Sequence, residues 1–227
     1  MEILQNGVTL ELAPGAFPLS TDSMVLGHFA RLPRNASVLD LGAGCGTLGL
    51  MLCAKDAHCH VTGAELDPQA HAAALENIQR NGLSSRMDSL CADIRSLNLG
   101  NGRFDVCISN PPYFSGGPAS SRYSLARRED CCPLEDLLAC AAHHVKYGGD
   151  VYLVHKPERM AQLITLAGKE GLEAKRLRLI RHQEGGEVTL VLLQFRKGGK
   201  PGLIWEEACL FDRFRQPTDY YQEVYHL

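Results

Sequence analysis

The sequence predicts an α/β fold: a mostly parallel sheet with helices on both faces, ending in an antiparallel hairpin. Two observations carry this expectation. From Val38 onward, short β-like runs alternate with segments of helical periodicity, the pattern of a parallel sheet covered by crossover helices. After Gly171 the rhythm changes, with Leu177 and Leu179 alternating with Arg176, Arg178 and Arg181; Gly185-Gly186 and the run Val188–Phe195 then complete a hairpin.

The strand candidates, in order, are Val38–Leu41, His60–Ala64, Met87–Ala92, Phe104–Ser109 and Asp150–Val154. A helix follows the first from about Leu48. After the second, Pro68 stands where a first helical turn begins, Ala70, Ala73, Ala74 and Ile78 share a face, and Asn81-Gly82 supplies the stop. Pro133 opens another helix with Leu134, Leu137, Leu138, Ala141 and Val145 in register, ended by Gly148-Gly149. Pro157 opens a third, apolar at Met160, Leu163, Ile164 and Ala167 and closed by Gly171. The tail from Phe211 to Tyr225 reads as cover for the core. The stretch from Tyr113 to Cys132 is long for a loop in a compact domain, and such loops are usually functional or mobile.

At roughly 150 residues per domain, 227 residues without a linker imply one domain over 1–227, with 1–36 as an N-terminal extension packed on the core. Hydrophobic residues at 45% and charged residues at 22% supply a packed interior and argue against disorder. A net charge of −3 argues against a basic coat for nonspecific nucleic-acid binding, so any polyanion must be met by a local patch. Arg122, Arg127 and Arg128, with Lys175, Arg176, Arg178 and Arg181, read either as such a ridge for RNA phosphates or as solvated faces. Nine cysteines, an odd number with no C-x-x-C spacing, fit a reducing cytoplasm. The first residues lack the pattern of a signal peptide, and no apolar run reaches the roughly 18 residues that cross a bilayer, so neither secretion nor membrane insertion is expected. His58-Cys59-His60 with Cys53 lacks an evident fourth ligand, and no metal is expected.

The first strand runs through Asp40 into Gly42-Ala43-Gly44-Cys45-Gly46-Thr47. Glycines there let the backbone turn sharply and approach a ligand at the strand's carboxyl end. The literal match to G-x-G-x-x-G, Gly44 to Gly49, is weak alone, and the absence of Gly-Lys-Ser/Thr excludes a P-loop. Asp40, Glu65 and Asp93 end three successive strands. Three carboxylates repel a phosphate and suit a cation that carries hydroxyls and an amine, as S-adenosyl-L-methionine does. In that reading Glu65 accepts from the ribose hydroxyls and Asp93 from the adenine amine, with Ile94 against the ring. The bland alternative makes these acids polar strand ends.

The fourth strand ends in Ser109-Asn110-Pro111-Pro112-Tyr113-Phe114. Two prolines hold the chain extended, leaving the carbonyls before them free to accept. The Asn110 side-chain oxygen and a backbone carbonyl, that of Pro111, suit the two N–H groups of a planar amine and turn its lone pair toward a methyl donor. Tyr113 and Phe114 suit stacking on a flat target.

These motifs resemble the class I S-adenosylmethionine-dependent methyltransferases of the N-P-P-Y type, and most of all the bacterial valine-tRNA adenine-N6 methyltransferase family. The likeness runs from about Phe17 to Tyr225 and includes Ser20-Thr21-Asp22-Ser23-Met24-Val25-Leu26, Ala126-Arg127-Arg128-Glu129 and Val154-His155-Lys156-Pro157-Glu158-Arg159. The resemblance implies a Rossmann-like, seven-stranded sheet and methylation of adenine N6 in tRNA beside the anticodon; no obligate protein partner is evident from the sequence. It also implies that Thr21 and Asp22 lie near the methionine end of the cofactor, although Asp22 alone reads equally as a helix N-cap. The substrate-side residues it implies are Pro112, Tyr113, Phe114, Arg127 and Arg128. Asn-Pro-Pro-Tyr by itself leaves adenine, guanine, cytosine and a protein glutamine open, as well as an idle cofactor-binding protein that holds RNA. Fewer than 40 residues precede the first strand of the core, too few for the helical domain typical of the glutamine enzymes, which favours a nucleic-acid base.

Overall fold

The computed structural model describes residues 2–13, 19–112 and 133–225. In chain order the elements are β1 (Glu2–Ile3), β2 (Thr9–Leu10), α1 (Thr21–Phe29), β3 (Ser37–Leu41), α2 (Thr47–Lys55), β4 (His60–Glu65), α3 (Pro68–Arg80), β5 (Met87–Cys91) and β6 (Phe104–Ser109). They continue with α4 (Leu134–His144), β7 (Val145–His155), α5 (Met160–Lys169), β8 (Leu172–Gln183), β9 (Val188–Lys197), β10 (Ile204–Phe211) and α6 (Asp219–Tyr225). The main sheet has the order β10-β8-β9-β7-β6-β3-β4-β5, parallel except where β9 pairs antiparallel with β7 and β8. Order reverses on either side of β3 and β6, so the crevice at their carboxyl ends is where an open α/β sheet places ligands.

Each face of the sheet has its own core, and strand alternation divides them. Val38, Ile108, Tyr152, Val154 and Leu192 join Met24, Leu26, Leu50 and Ile78 of α1, α2 and α3. Leu39, Leu41, Cys107, Val151, Leu153 and Leu193 join Leu134, Leu137, Leu138 and Leu163 of α4 and α5. Leu4 and Leu10 of the N-terminal segment, and Val224 of α6, belong to the first of these cores. Tyr220, Tyr221 and Tyr225 pack against it, so the tail covers the core as its sequence predicts.

Several features differ from expectation. The helix opened by Pro133 ends at His144 rather than at Gly148-Gly149, and Val145 already pairs with Phe104. Lys197 explains the early stop, since its ammonium donates to the carbonyls of Ala142 and Val145 at 2.6 and 3.1 Å and satisfies the helix end from a strand fifty residues away. Gly149 is needed because a Cβ there would stand 2.7 Å from the Asp105 carbonyl. Among the described residues the main sheet has eight strands, one more than the family resemblance implies, because β10 adds in parallel to β8. At its start Ile204 and Trp205 are exposed, so the strand lacks the alternating apolar pattern that announces one. The N-cap of α1 is Ser20, whose side chain accepts from the Ser23 amide; Asp22 lies inside the first turn and is not the cap.

Candidate active site

The carboxyl ends of β3, β4 and β6 bring together the glycine loop, Glu65 and Asn110. Gly42 and Gly44 have positive φ, +73° and +56°, and a Cβ at either would meet nothing within 4 Å. Their freedom is spent on open space for a ligand. Nearby glycines serve packing instead: at Gly63 a Cβ would stand 2.9 Å from that of Ala43. The loop is closed by β4, whose Ala64 carbonyl accepts from the amides of Gly42 and Gly44's neighbour Ala43. Half-buried Glu65 accepts from the Gly44 amide at 2.7 Å through one oxygen and from the Asp67 amide at 2.8 Å through the other. A carboxylate offers about four lone-pair sites, so acceptor capacity for a diol is retained.

Asp40 lies beneath the loop rather than along its open face. It is wholly buried, and neither carboxylate oxygen finds a hydrogen bond among the described residues. Burial raises its pKa to about 7; the Gly49 amide at the start of α2 opposes this from outside hydrogen-bonding geometry, and the Glu65 charge adds to the rise. An orphaned buried acid under a cradle of open glycines fits a cationic ligand above it. The residues present therefore fit S-adenosyl-L-methionine.

Asp93 follows β5 on the same rim, but its carboxylate is already engaged. Arg95 donates to it through Nε, at 2.9 Å to one oxygen and 3.0 Å to the other, through Nη2 and through its amide, and these bonds hold the acid below the usual carboxylate range. Arg95 is a partner the sequence reading missed. Ile94 is half-buried against the core on the α4 face.

The end of β6 is tied directly to the end of β3: the Ser109 hydroxyl donates to the Leu41 carbonyl at 2.6 Å, locking the residue before Asn110 to the residue before Gly42. Asn110 is half-buried, Pro111 buried and Pro112 half-buried. The Asn110 Nδ2 donates to the Ser23 hydroxyl at 3.0 Å, across 87 positions of sequence. Thr21, beside Asp22 in the first turn of α1, shares a hydrogen bond of 3.0 Å with the Tyr225 hydroxyl. The start of α1 is thus held both by the amide corner and by the C-terminal helix. In the sequence Ser23 stands only as one member of the stretch Ser20 to Leu26; the serine at the Ser20 N-cap position, three residues before it, was its one local signal.

Tyr113, Phe114, Arg122, Arg127 and Arg128 lie outside the described residues, as do Cys131 and Cys132. Of the other candidates for a phosphate ridge, Arg176 and Arg178 are committed elsewhere in the fold. Arg176 and Arg178 have side chains only 11% and 15% exposed and share the Glu206 carboxylate at 3.4 and 2.8 Å, while Arg181 pairs with Glu207 at 3.3 Å. The Arg176 guanidinium lies 4.3 Å over the Phe29 ring, and that of Arg178 lies 5.2 Å over Tyr220. Arg176 and Arg178, mostly buried, sharing one carboxylate and stacked on aromatic rings, hold the sheet edge together rather than face a phosphate. Among the described residues no group of three His, Cys, Asp or Glu is placed to hold a metal, and no helix is long and apolar enough to cross a membrane.

Residues 20–168 match the family described as the methyltransferase small domain. A tRNA1(Val) (adenine(37)-N6)-methyltransferase from Aliivibrio salmonicida is 30% identical over 179 residues, 78% of this chain and 76% of its own length. The protein so described from Photobacterium profundum is 31% identical over 201 residues, 86% of this chain and 84% of its own. Among solved structures, an Agrobacterium tumefaciens protein described as a predicted O-methyltransferase superposes with a TM-score of 0.76 at 21% identity, covering 91% of this chain and 96% of that one. A methyltransferase from Pyrococcus furiosus gives 0.63 at 24% identity over 86% and 91%. The sheet order, the glycine loop closed by Glu65, the amide corner at the next strand end and these similarities agree: the chain belongs to the methyltransferase small domain family.

Proposed function

We propose that this chain transfers a methyl group from S-adenosyl-L-methionine to the exocyclic N6 of an adenine in tRNA, beside the anticodon. The observation that carries the reading is the bond from Ser109 to Leu41, which fixes the Asn110-Pro111-Pro112 corner against the mouth of the glycine loop. The activity for which the bacterial relatives are named supports the choice of substrate. In this reading Gly42 and Gly44 let the backbone approach the cofactor, Glu65 accepts from its ribose, Asp40 biases the site toward positive charge, and Asp93 and Ile94 border its adenine. Thr21 and Asp22 stand toward its methionine end. When bound, S-adenosylmethionine supplies an electrophilic methyl on a sulfonium sulfur.

The chain's own work lies in the target amine, whose lone pair is delocalised into the ring and therefore weakly nucleophilic. Acceptance of its two N–H groups by the Asn110 oxygen and the Pro111 carbonyl orients the nitrogen and localises that lone pair. No strong base is needed, because the nitrogen becomes acidic only as it is alkylated. Tyr113 and Phe114 would stack on the extruded base, Pro112 would border it, and Arg127 and Arg128 would meet neighbouring phosphates. We place the activity in the cytoplasm and in one domain spanning 1–227, with 1–36 packed on its core.

The test is tritiated methyl transfer to bulk tRNA from cells that lack this chain, followed by nucleoside mass spectrometry. Label in N6-methyladenosine is the expected result. Label only in ribonuclease-resistant protein, or only in guanosine or cytidine, would replace the substrate; cofactor binding with no transfer to tRNA, rRNA, DNA or protein would remove the enzyme.

A further inference from the structure

We infer that Ser23 is a positioning residue for methyl transfer, setting which end of the Asn110 amide faces the target amine. The inference rests on the reading that Asn110 receives the amino group. An asparagine amide has two ends of nearly equal shape and opposite chemistry: Oδ1 accepts an N–H, whereas Nδ2 would present donors to a donor. Half a turn about the last side-chain bond therefore separates a competent corner from an incompetent one.

Ser23 discriminates between them. It is buried in the first turn of α1, and its hydroxyl stands 3.0 Å from Nδ2. The Ser20 hydroxyl is directed at the same oxygen from 3.5 Å, while the Ser20 oxygen itself accepts the Ser23 amide at 3.3 Å. In the bond the structure shows, Ser23 Oγ is the acceptor and the donor end of the amide stands against it, so the competent orientation is the one held. Thr21, two positions earlier, is anchored to Tyr225, so the turn carrying Ser23 is fixed on its other side as well. The device joins an element that precedes the cofactor strand to the residue that touches the substrate.

Ser23→Ala isolates the hydroxyl. The cap is kept, because Ser20 accepts from the main-chain amide of residue 23, and alanine is the stronger helix former, so the variant should stay folded, its melting temperature lowered by a few degrees at most through the lost bond to Asn110. Steady-state transfer to bulk tRNA should show kcat lowered about tenfold, the scale of one lost positioning hydrogen bond. The KM for tRNA and the dissociation constant of S-adenosylhomocysteine should stay within about twofold. Ser23→Thr, which restores an Oγ, should recover most of the loss. A native kcat in Ser23→Ala, or a folded Ser23→Thr as slow as the alanine variant, overturns the inference. Asn110→Ala in the same assay separates the two levels: near-inactivity there with a native Ser23→Ala removes only the positioning role, whereas a fully active Asn110→Ala removes the reading of Asn110 and this inference together.

Discussion

The two halves of the site are held in different ways. The cofactor half is built from neighbours, since the loop after β3 is closed by Ala64 and Glu65 of the adjacent strand, within twenty-five positions of Asp40. The target half is assembled from afar, since Asn110 reaches Ser23 across 87 positions. A site so divided should fail in two separable ways. Damage to the local half should appear in cofactor affinity, and damage to the distant half in turnover.

The sharpest test of this division is Asn110→Ala. Loss of a preorganised polar contact to the reacting group typically costs 10²–10³ in rate, and that loss is expected in kcat for tRNA methylation. Affinity for S-adenosylhomocysteine, measured by calorimetry, should stay within a few-fold. Equal losses of both would mean that the halves are one unit.

Asp40 gives the next largest effect and tests the cofactor half. Its pKa is raised to about 7 in the folded chain, above its ordinary 3.8, so between those values the folded state holds the proton more tightly than the unfolded state. The folded chain without cofactor therefore gains stability as pH falls through 7 and loses it as pH rises. Cofactor binding runs the other way, because a cation above the loop favours the ionised acid. Affinity for S-adenosylmethionine should drop about tenfold from pH 8 to pH 6, with proton uptake by the protein opposing binding. Asp40→Asn should flatten both profiles; a tenfold drop that survives this substitution would assign the titration elsewhere.

The same contrast governs what the sequence showed in advance. The glycine loop and the Asn-Pro-Pro corner are each contiguous, so their place in the fold is legible from a single strand end, and Glu65 is found closing the loop as its position at the end of a neighbouring strand suggests. Ser23 was not legible, since its value comes from a partner that only the folded sheet delivers. Arg176 and Arg178 misled for the opposite reason: alternating arginines look like a charged face until Glu206 of β10, a strand without a clear pattern, comes to lie beside them. The end of α4 was misplaced because Lys197 of β9 supplies its stop. Local chemistry was readable, whereas neutralisation and capping by distant segments were not.

Paired glycine substitutions separate ligand space from packing. Gly42→Ala should fold, at a strain of about 1 kcal/mol for its positive φ, and bind S-adenosylhomocysteine roughly tenfold more weakly, because the added methyl points into open space over the loop. Gly63→Ala should instead lower stability by about 1–2 kcal/mol through its contact with Ala43, which cannot swing aside as a flexible side chain would. Urea titration and calorimetry on the two variants would show the exchange of roles. Loss of stability without loss of affinity in Gly42→Ala would make that glycine a packing residue like Gly63.

The smallest expected effect concerns the outer edge of the sheet, where charge is spent on cohesion and not on a ligand. Burial alone would raise the Glu206 carboxyl, but the guanidiniums of Arg178 and Arg176 outweigh it and hold the acid below its usual range. Glu206→Gln leaves those two cations facing each other, 11% and 15% exposed, without their shared partner. Because Glu206 itself is 40% exposed, solvent screens much of the change, and the cost should be about 1 kcal/mol, a fall of roughly 2–4 °C in melting temperature that shrinks as salt is added. The Phe29 and Tyr220 rings limit the loss by continuing to hold the guanidiniums. Binding of tRNA should be unchanged in the same variant, since arginines committed to an interior pair were never available to phosphate. A gain in tRNA affinity at constant stability would show instead that Glu206 masks a phosphate site, and that the edge and the catalytic rim belong to one surface.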